Sequence, residues 1–446
     1  MAAQENTFPP EIWTEIVECS PQQTLVALSR VCSMLSVEVR KVLLRSVASK
    51  ETSGDNEKSA SIIYRPWAFH DMLVKEDTNW RSTIRFAKLN WLGEYLDKDG
   101  KDALIGRAKP VADHLIFKTA MMLSECAHLH DFQVNSRSLT IATAMLNTKP
   151  LQITSLSFSL PHRYSWEDLY RIFEIPTLST LVVKNLLSPD RPAFRFPPPI
   201  PDELHLKSAI SNIQDLTLDE CGPLTSAIVP MFKWPRNLRK LDYSPSRSKC
   251  EPYWRGILRR MGDISDAVDL SVHVLSPVKD SLEELEFDLG LDRHWILPFR
   301  TGGLFQSFAN MSKLTVPVEL IMHSRGLSQS RLDRPFYTSL PHDLQELTLK
   351  FTILTSWHPR PAHSELQTNQ CLLSDPAHRF FDELSDIAMH KEEFFPSLKQ
   401  LILTEDGERP FLVKCVHTKH SLEDLRSSGI QVVQGDWYRQ SRETWV

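Results

Sequence analysis

The chain has 446 residues, of which 41% are hydrophobic and 24% charged, and its formal net charge is -5. This length suits two or three domains or one extended repeat array, and the charge balance argues against general binding of nucleic acid or anionic membranes. Seven scattered cysteines without a C-x-x-C pair indicate a reducing compartment. The acidic, proline-broken first residues and the absence of a long apolar run predict neither a secretory signal nor a membrane span.

Three apolar stripes follow one another in the first fifty residues. The first begins at a paired proline, which suits the first turn of a helix, and places Ile12, Ile16 and Val17 on one predicted face. The second contains Leu25, Leu28 and Leu35, and the third follows from Val39. Three short helices hide a limited fraction of their surface, so we expect part of this apolar area to contact another protein.

The residues that carry these stripes resemble a known motif. Phe8-Pro9-Pro10-Glu11-Ile12-Trp13, Thr24-Leu25-Val26-Ala27-Leu28-Ser29-Arg30-Val31-Cys32 and Leu43-Leu44-Arg45-Ser46-Val47 are similar to the F-box of the fungal-type F-box family. The resemblance implies docking onto the adaptor Skp1 and, through it, onto the cullin of a ubiquitin ligase. The residues that it implies at Skp1 are Pro9, Ile12, Ile16, Leu25, Leu28 and Val31. The alternative is an ordinary three-helix cap on a larger core.

A second pattern recurs along the rest of the chain. Its template is apolar, two variable, apolar, one variable, apolar, and it begins at residues 129, 153, 178, 213, 238, 282, 311, 344 and 398. The last two apolar positions alternate as they would in a half-buried strand. The template resembles a leucine-rich repeat, and Ile213 to Cys221 fits the whole signature. The repeat lengths are irregular, from 24 residues (129 to 153) to 54 (344 to 398).

These patterns define the predicted architecture, which is of the α/β class. We expect F-box helices over residues 8–48, a flexible linker or loop over 49–61, and an irregular leucine-rich-repeat solenoid with proline-rich inserts over 62–446. Further helices are predicted at 166–173, 252–261 and 380–390. The alternative is an unrelated α/β fold with many buried strands.

The variable positions of the middle strands carry many carboxylates. In a leucine-rich repeat these positions face the open side, and stacked strands lie about 4.8 Å apart, so the carboxylates would form one patch. We predict that this patch binds a basic segment of a client protein, and its residues are Asp219, Asp242, Glu284, Glu286 and Asp288. The alternative is a solvated strand face without a ligand.

Catalytic motifs are absent from the sequence. It contains no G-x-S-x-G, G-x-x-x-x-G-K-[ST], H-E-x-x-H or G-x-G-x-x-G pattern, and its few glycines disfavour phosphate-binding loops. Cys126, His128 and His130 have no second ligand pair at useful spacing, so we expect no metal site. We therefore expect no catalytic residues, no cofactor and no metal.

The leading interpretation is a non-catalytic substrate receptor of a Skp1–cullin–F-box ubiquitin ligase, located in the cytoplasm or the nucleus. Its expected partners are Skp1, the cullin and an unknown client protein, with no nucleic acid and no membrane. The alternative is a leucine-rich-repeat scaffold without a link to a ligase. A third, weaker alternative is an enzyme whose site is assembled from residues distant in the sequence.

Overall fold

The computed structural model divides the chain into two compact units between Val182 and Val183, which we call the first and the second unit. The described residues are 10–20, 22–31, 33–49, 62–64, 83–90, 118–119, 122–123, 126, 128–135, 152–160, 164–187, 200–246, 250, 273–288, 305–317, 336–351, 384–405 and 418–436.

The first unit begins with three helices. They are α1 (Pro10–Cys19), α2 (Gln22–Leu28) and α3 (Ser33–Leu44). Pro10 occupies the first helical position, where its missing N–H has no helical partner to lose. The ion pair between Glu18 in α1 and Arg45 just after α3, at 2.6 Å, joins the beginning and the end of this three-helix segment.

The strands of the first unit are all parallel. They are β1 (Ser46–Ser49), β2 (Ile62–Tyr64), β3 (Phe86–Asn90), β4 (Asp131–Asn135) and β5 (Ser155–Ser159). Their order is β2-β1-β3-β4-β5, so β1 pairs with β2 on one side and with β3 on the other. Because β1 begins one residue after Arg45, the predicted domain boundary at 48/49 falls inside a strand. Most of the predicted linker lies outside the described residues.

The second unit continues with parallel strands in chain order, after β6 (Thr180–Lys184), which contains the division. They are β7 (Asp215–Cys221), β8 (Lys240–Pro245), β9 (Glu284–Phe287), β10 (Lys313–Pro317), β11 (Glu346–Phe351), β12 (Gln400–Glu405) and β13 (Gln431–Asp436). Each pairs with the next along the chain, and the sheet is not closed into a barrel. The predicted α/β class is confirmed.

Helices connect several of the strands. They are α4 (Trp166–Phe173), α5 (Asp202–His205), α6 (Val229–Lys233), α7 (Lys391–Phe394) and α8 (Thr418–Ser427). The prediction of a helix at 166–173 is confirmed: the Ser165 hydroxyl accepts the Asp168 N–H and caps α4, whose apolar side is buried. Residues 384–389 are also helical, within the predicted 380–390, whereas the predicted helix at 252–261 lies outside the described residues.

The nine copies of the apolar template all become strands. The first position of each copy is buried just before the strand, as Leu178, Ile213 and Leu238 show. Wherever their burial is described, the two later positions are buried within the strand, as Leu216 and Leu218 are in β7. Alternation then directs the variable side chains to the other side of the strands, which we call the outward face.

A repeated backbone contact fixes the register of successive strands. The carbonyl just before one strand accepts two N–H groups from the start of the next; Arg239 O accepts from Glu283 and Glu284 at 2.8 and 2.9 Å. The same contact occurs in the first unit, where His130 O accepts from Thr154 and Ser155. It begins at Arg45 O, which accepts from Arg85 and Phe86, so the end of the helical segment already follows the strand pattern.

Candidate functional site

The three N-terminal helices enclose a small core of their own. It consists of Val17, Leu25, Leu35 and Val39, with Leu28, Val42 and Leu43 packed against it. Leu25 is 4% exposed. Its burial supports a packing role, in contrast with the partner contact that the family resemblance implies, because a side chain enclosed by its own helices offers little surface to a second protein.

Other apolar residues of this segment remain outside that core. Ile12 and Ile16 are 39% and 38% exposed, and Val31 after α2 is 68% exposed. The sequence placed Ile12, Ile16 and Val17 on one face. The structure separates them, because successive helical residues point about 100° apart and Val17 is the one that turns inward. Pro9 lies outside the described residues.

The exposed residues therefore form a candidate docking surface, which we call the helical docking surface and define by Ile12, Ile16 and Val31. Ile12 and Ile16 lie one turn apart on α1 and so share a side of that helix. The segment contains sufficient apolar side chains to fill its core without them. An apolar pair on one side of a short helix could contribute to an interface if neighbouring apolar area continues it.

The outward face of the second unit carries the predicted client-binding carboxylates. The strand pairing places Lys240 between Asp215 and Glu284, and Lys313 between Glu284 and Glu346. Charges thus alternate in sign from β7 to β11 along this row. The alternation was readable in the sequence once the repeats were aligned, although sequence reasoning had emphasised the acidic residues alone.

Three of the predicted carboxylates are engaged by lysines. Asp219 pairs with Lys184 at 2.9 Å, and Glu284 pairs with Lys313 at 2.9 Å. Glu286 pairs with Lys350. Lys350 belongs to β11 and reaches Glu286 on β9 across β10, a contact between strands two apart that the sequence pattern does not reveal.

Asp242 lies among these groups on β8. It pairs in register with Thr217 on β7 and with Glu286 on β9. Its Oδ1 is buried and has no hydrogen-bond partner. Burial raises the pKa of Asp242 to about 7, and the neighbouring Glu286 and Asp219 carboxylates add to the rise against Lys350 and Lys240. The last predicted residue, Asp288, follows β9, and its N–H donates to Tyr243 O at 3.1 Å.

The cysteine and the two histidines considered for a metal site lie in different environments. Cys126 is buried and its thiol donates to Met122 O at 3.6 Å, whereas His128 and His130 are exposed. Within the described ranges no three His, Cys, Asp or Glu side chains are grouped so that they could hold a metal ion. None of the helices among those ranges has both the length and the apolar character needed to cross a membrane.

Comparison with known proteins gives no family assignment: no protein-family model and no curated protein matches this chain.

Proposed function

We propose that the protein is a substrate receptor of a Skp1–cullin–F-box ubiquitin ligase, with an F-box over residues 8–48 followed by an irregular leucine-rich-repeat domain. In this proposal the N-terminal helices bind Skp1, the strands hold a client protein, and the enzymes that transfer ubiquitin are separate subunits. The receptor contributes proximity, because holding two reactants together converts an encounter into a nearly intramolecular step.

The observation that carries the proposal is the helical docking surface. Ile12, Ile16 and Val31 remain exposed although other apolar side chains of the helices form a buried core. Burying two isoleucines and a valine at an interface removes enough apolar area to contribute about 2 kcal/mol per side chain. Leu28, which packs partly against the core, is half-buried and would lie at the edge of such an interface.

Two features of the strands support the repeat interpretation. All nine template copies are strands, and each strand of the second unit pairs in parallel with the next along the chain. Cys221, at the last position of the repeat signature, is buried, and its sulfur lies 3.2 Å from Asp219 O in its own strand and 3.7 Å from Val183 O in β6. A short buried side chain that reaches backbone carbonyls agrees with the Asn or Cys of the signature.

The test is co-expression of the full chain with Skp1, followed by size-exclusion chromatography. We expect a stable one-to-one complex that is lost in the double variant Ile12→Asp/Ile16→Asp. The control is Leu206→Asp, which places one aspartate at an 86% exposed leucine in the second unit and should leave the complex intact. A complex that survives the double variant, or the absence of any complex with the unaltered chain, contradicts the proposal.

The scaffold without a ligase link is the second candidate, and one observation favours it. Arg45 O, at the end of the helices, accepts the Arg85 and Phe86 N–H groups in the same way as the carbonyls before the later strands. The helices thus pass into the strands without a spacer, as a terminal cap of a repeat array would. If the helices are a cap, Skp1 will not bind, and the only effect of Ile12→Asp/Ile16→Asp will be a lower stability of the chain.

For the client we propose the outward face of the second unit, with the five carboxylates named above. The lysine pairs change the kind of client that we expect. A face of alternating charge suits a segment that itself carries both signs, whereas a uniformly basic segment would meet Lys240 and Lys313. Reversal of Asp219, Asp242 and Glu286 to lysine should abolish capture of such a client from a cell extract while Skp1 binding persists. Unchanged capture would reject this face as the binding site.

A further inference from the structure

The surroundings of Asp242 combine charges from four strands. Its carboxyl group is faced by Asp219 from β7, Lys240 from its own strand, Glu286 from β9 and Lys350 from β11. The residue of β10 in the same row is Thr315, which is uncharged. We call Asp242, Glu286 and Lys350 the β8–β9 cluster, because the two carboxylates are register neighbours on these strands.

Two lysines, Lys350 and Lys240, act on Asp242 through their charges, and Lys350 is also paired with Glu286. The neighbouring Asp219 is paired with Lys184. Asp242 Oδ1 has no hydrogen-bond partner and is out of contact with water. An ionised Asp242 therefore places a second negative charge beside Glu286, on a neighbouring strand about 4.8 Å away, while the two share one ammonium group.

We propose that the β8–β9 cluster is a proton-operated switch: when Asp242 takes up one proton, the pairing of β8 with β9 tightens, and when it releases that proton, the pairing loosens. The switch is independent of the ligase proposal, since it requires no partner. The protonated group removes the repulsion with Glu286 and can donate a hydrogen bond, whereas ionisation leaves Oδ1 buried without a donor and sets two carboxylates side by side on β8 and β9.

The operating range is near neutral pH. Burial, followed by the charge of Glu286, raises the pKa of Asp242 to about 7 in the paired strands. In an opened segment the group would regain its ordinary pKa near 4. From about pH 6 to pH 8, ionisation of Asp242 increases the statistical weight of the open form about a hundredfold and that of the closed form about tenfold. The equilibrium constant for opening therefore rises about tenfold.

Hydrogen exchange of the full chain, read by mass spectrometry, tests the switch. After correction for the intrinsic rate, amides in 240–245 and 284–287 should exchange about tenfold faster at pH 8 than at pH 6. Asp242→Asn should remove this difference. Asp131→Asn is the matched control, because Asp131 Oδ1 is likewise buried without a partner but lies in the first unit. It should leave the β8 and β9 response unchanged.

Two further variants keep the test decisive if Asp242→Asn does not fold. Glu286→Gln removes the repelling charge and frees Lys350, so the pH midpoint of the exchange change should fall by about one unit. Lys350→Met removes the attraction, and the midpoint should rise by a similar amount. The switch proposal would be rejected if the midpoints of both variants shifted in the same direction, or if the unaltered protein exchanged equally fast at pH 6 and pH 8.

Discussion

The outward faces of the two units are built on the same strand pattern and carry different chemistry. In the first unit, β4 and β5 present Asp131, Gln133, Ser155 and Ser157, of which Asp131 alone is charged. In the second unit, carboxylates and lysines alternate from β7 to β11 in one row, and the next row carries the neighbouring carboxylates of Asp242 and Glu286. The inward positions are apolar in both units, so the fold tolerates either kind of outward face.

Among the described residues, each face contains one carboxylate oxygen that is buried without a hydrogen-bond partner, on Asp131 and on Asp242. Burial raises the pKa of Asp131, and a hydrogen bond from Ser155 lowers it. For Asp242 the pKa reaches about 7, because the charges of Glu286 and Asp219 add to the effect of burial. Burial is the largest cause of the rise in pKa for both groups, and the neighbouring carboxylates of the second unit add to it for Asp242.

Among the variants that test this difference between the two faces, Asp242→Asn should have the largest effect on stability. A carboxyl group whose folded-state pKa lies above its unfolded value contributes stability below the unfolded pKa, and that contribution is lost as pH rises through the folded pKa. Asn cannot ionise, so its variant should match the unaltered protein at pH 4 and exceed its stability at pH 8 by roughly 2 to 4 kcal/mol. Denaturant unfolding followed by tryptophan fluorescence measures this.

Equal pH dependence of the two proteins would show that Asp242 does not titrate in this range. Asp131→Asn provides the comparison from the outward face of the first unit. We expect a change in the same direction and of smaller size there, since the register neighbours of Asp131 are Phe86 and Ser155, which carry no charge.

Lys350→Met should produce the next largest effect. The Lys350 side chain is 13% exposed and its partner Glu286 is 43% exposed, so the ion pair is partly shielded from water. Removing the ammonium leaves two carboxylates on β8 and β9 without their shared cation, at a cost of about 2 kcal/mol at pH 8. Unfolding in denaturant at low and high salt measures it, because a shielded pair resists screening.

The outward face of the first unit supplies the control for Lys350. Ser157→Ala changes an outward side chain of β5 that lies among uncharged residues and should cost less than about 0.5 kcal/mol. If both variants lose the same stability, the contact of Lys350 across β10 contributes nothing measurable.

Much of the strand array could be predicted from the sequence. A template of three apolar positions found nine strands, because these positions are the ones that the core must bury. It missed β1, β2, β3 and β13; in β3 Ala87 takes the place of a large apolar residue, and β1 is short and follows a helix. Alternation is a local property, so it survives irregular repeat lengths and proline-rich inserts.

The candidate sites were less predictable. The exposure of Ile12 and the burial of Leu25 depend on how three helices pack, and one apolar stripe has the same sequence pattern whether its partner is its own chain or another. The reach of Lys350 to Glu286 depends on a long side chain crossing an intervening strand. By contrast, the alternation of charge from β7 to β11 could be predicted from an alignment of the repeats.

The inward faces also differ, because the second unit has a buried tyrosine hydroxyl among its apolar side chains. Tyr243→Phe removes this hydroxyl and should lower the free energy of unfolding by about 1 kcal/mol. The Tyr243 hydroxyl donates to Gly222 O at 2.9 Å in the core of the second unit. Removing it leaves a buried carbonyl without that donor. Phe158 in β5 is also buried, so Phe158→Tyr makes the opposite change by adding a hydroxyl. We expect both variants to unfold at lower denaturant concentration; a neutral Tyr243→Phe would mean that the hydroxyl has no stabilising role.

The smallest effect should come from Lys313→Met, at less than about 0.5 kcal/mol, although Lys313 and Glu284 lie only 2.9 Å apart. Both side chains are more than a third exposed, so water competes with the pair and its two flexible side chains lose entropy on pairing. The measurement is the difference in unfolding free energy between the unaltered and variant proteins at about 0.05 M and 1 M salt. The difference should vanish at high salt, where charges are screened within about 3 Å. A difference as large and as salt-resistant as that of Lys350→Met would show that the alternating row stabilises the second unit throughout, and not mainly at the contact that crosses β10.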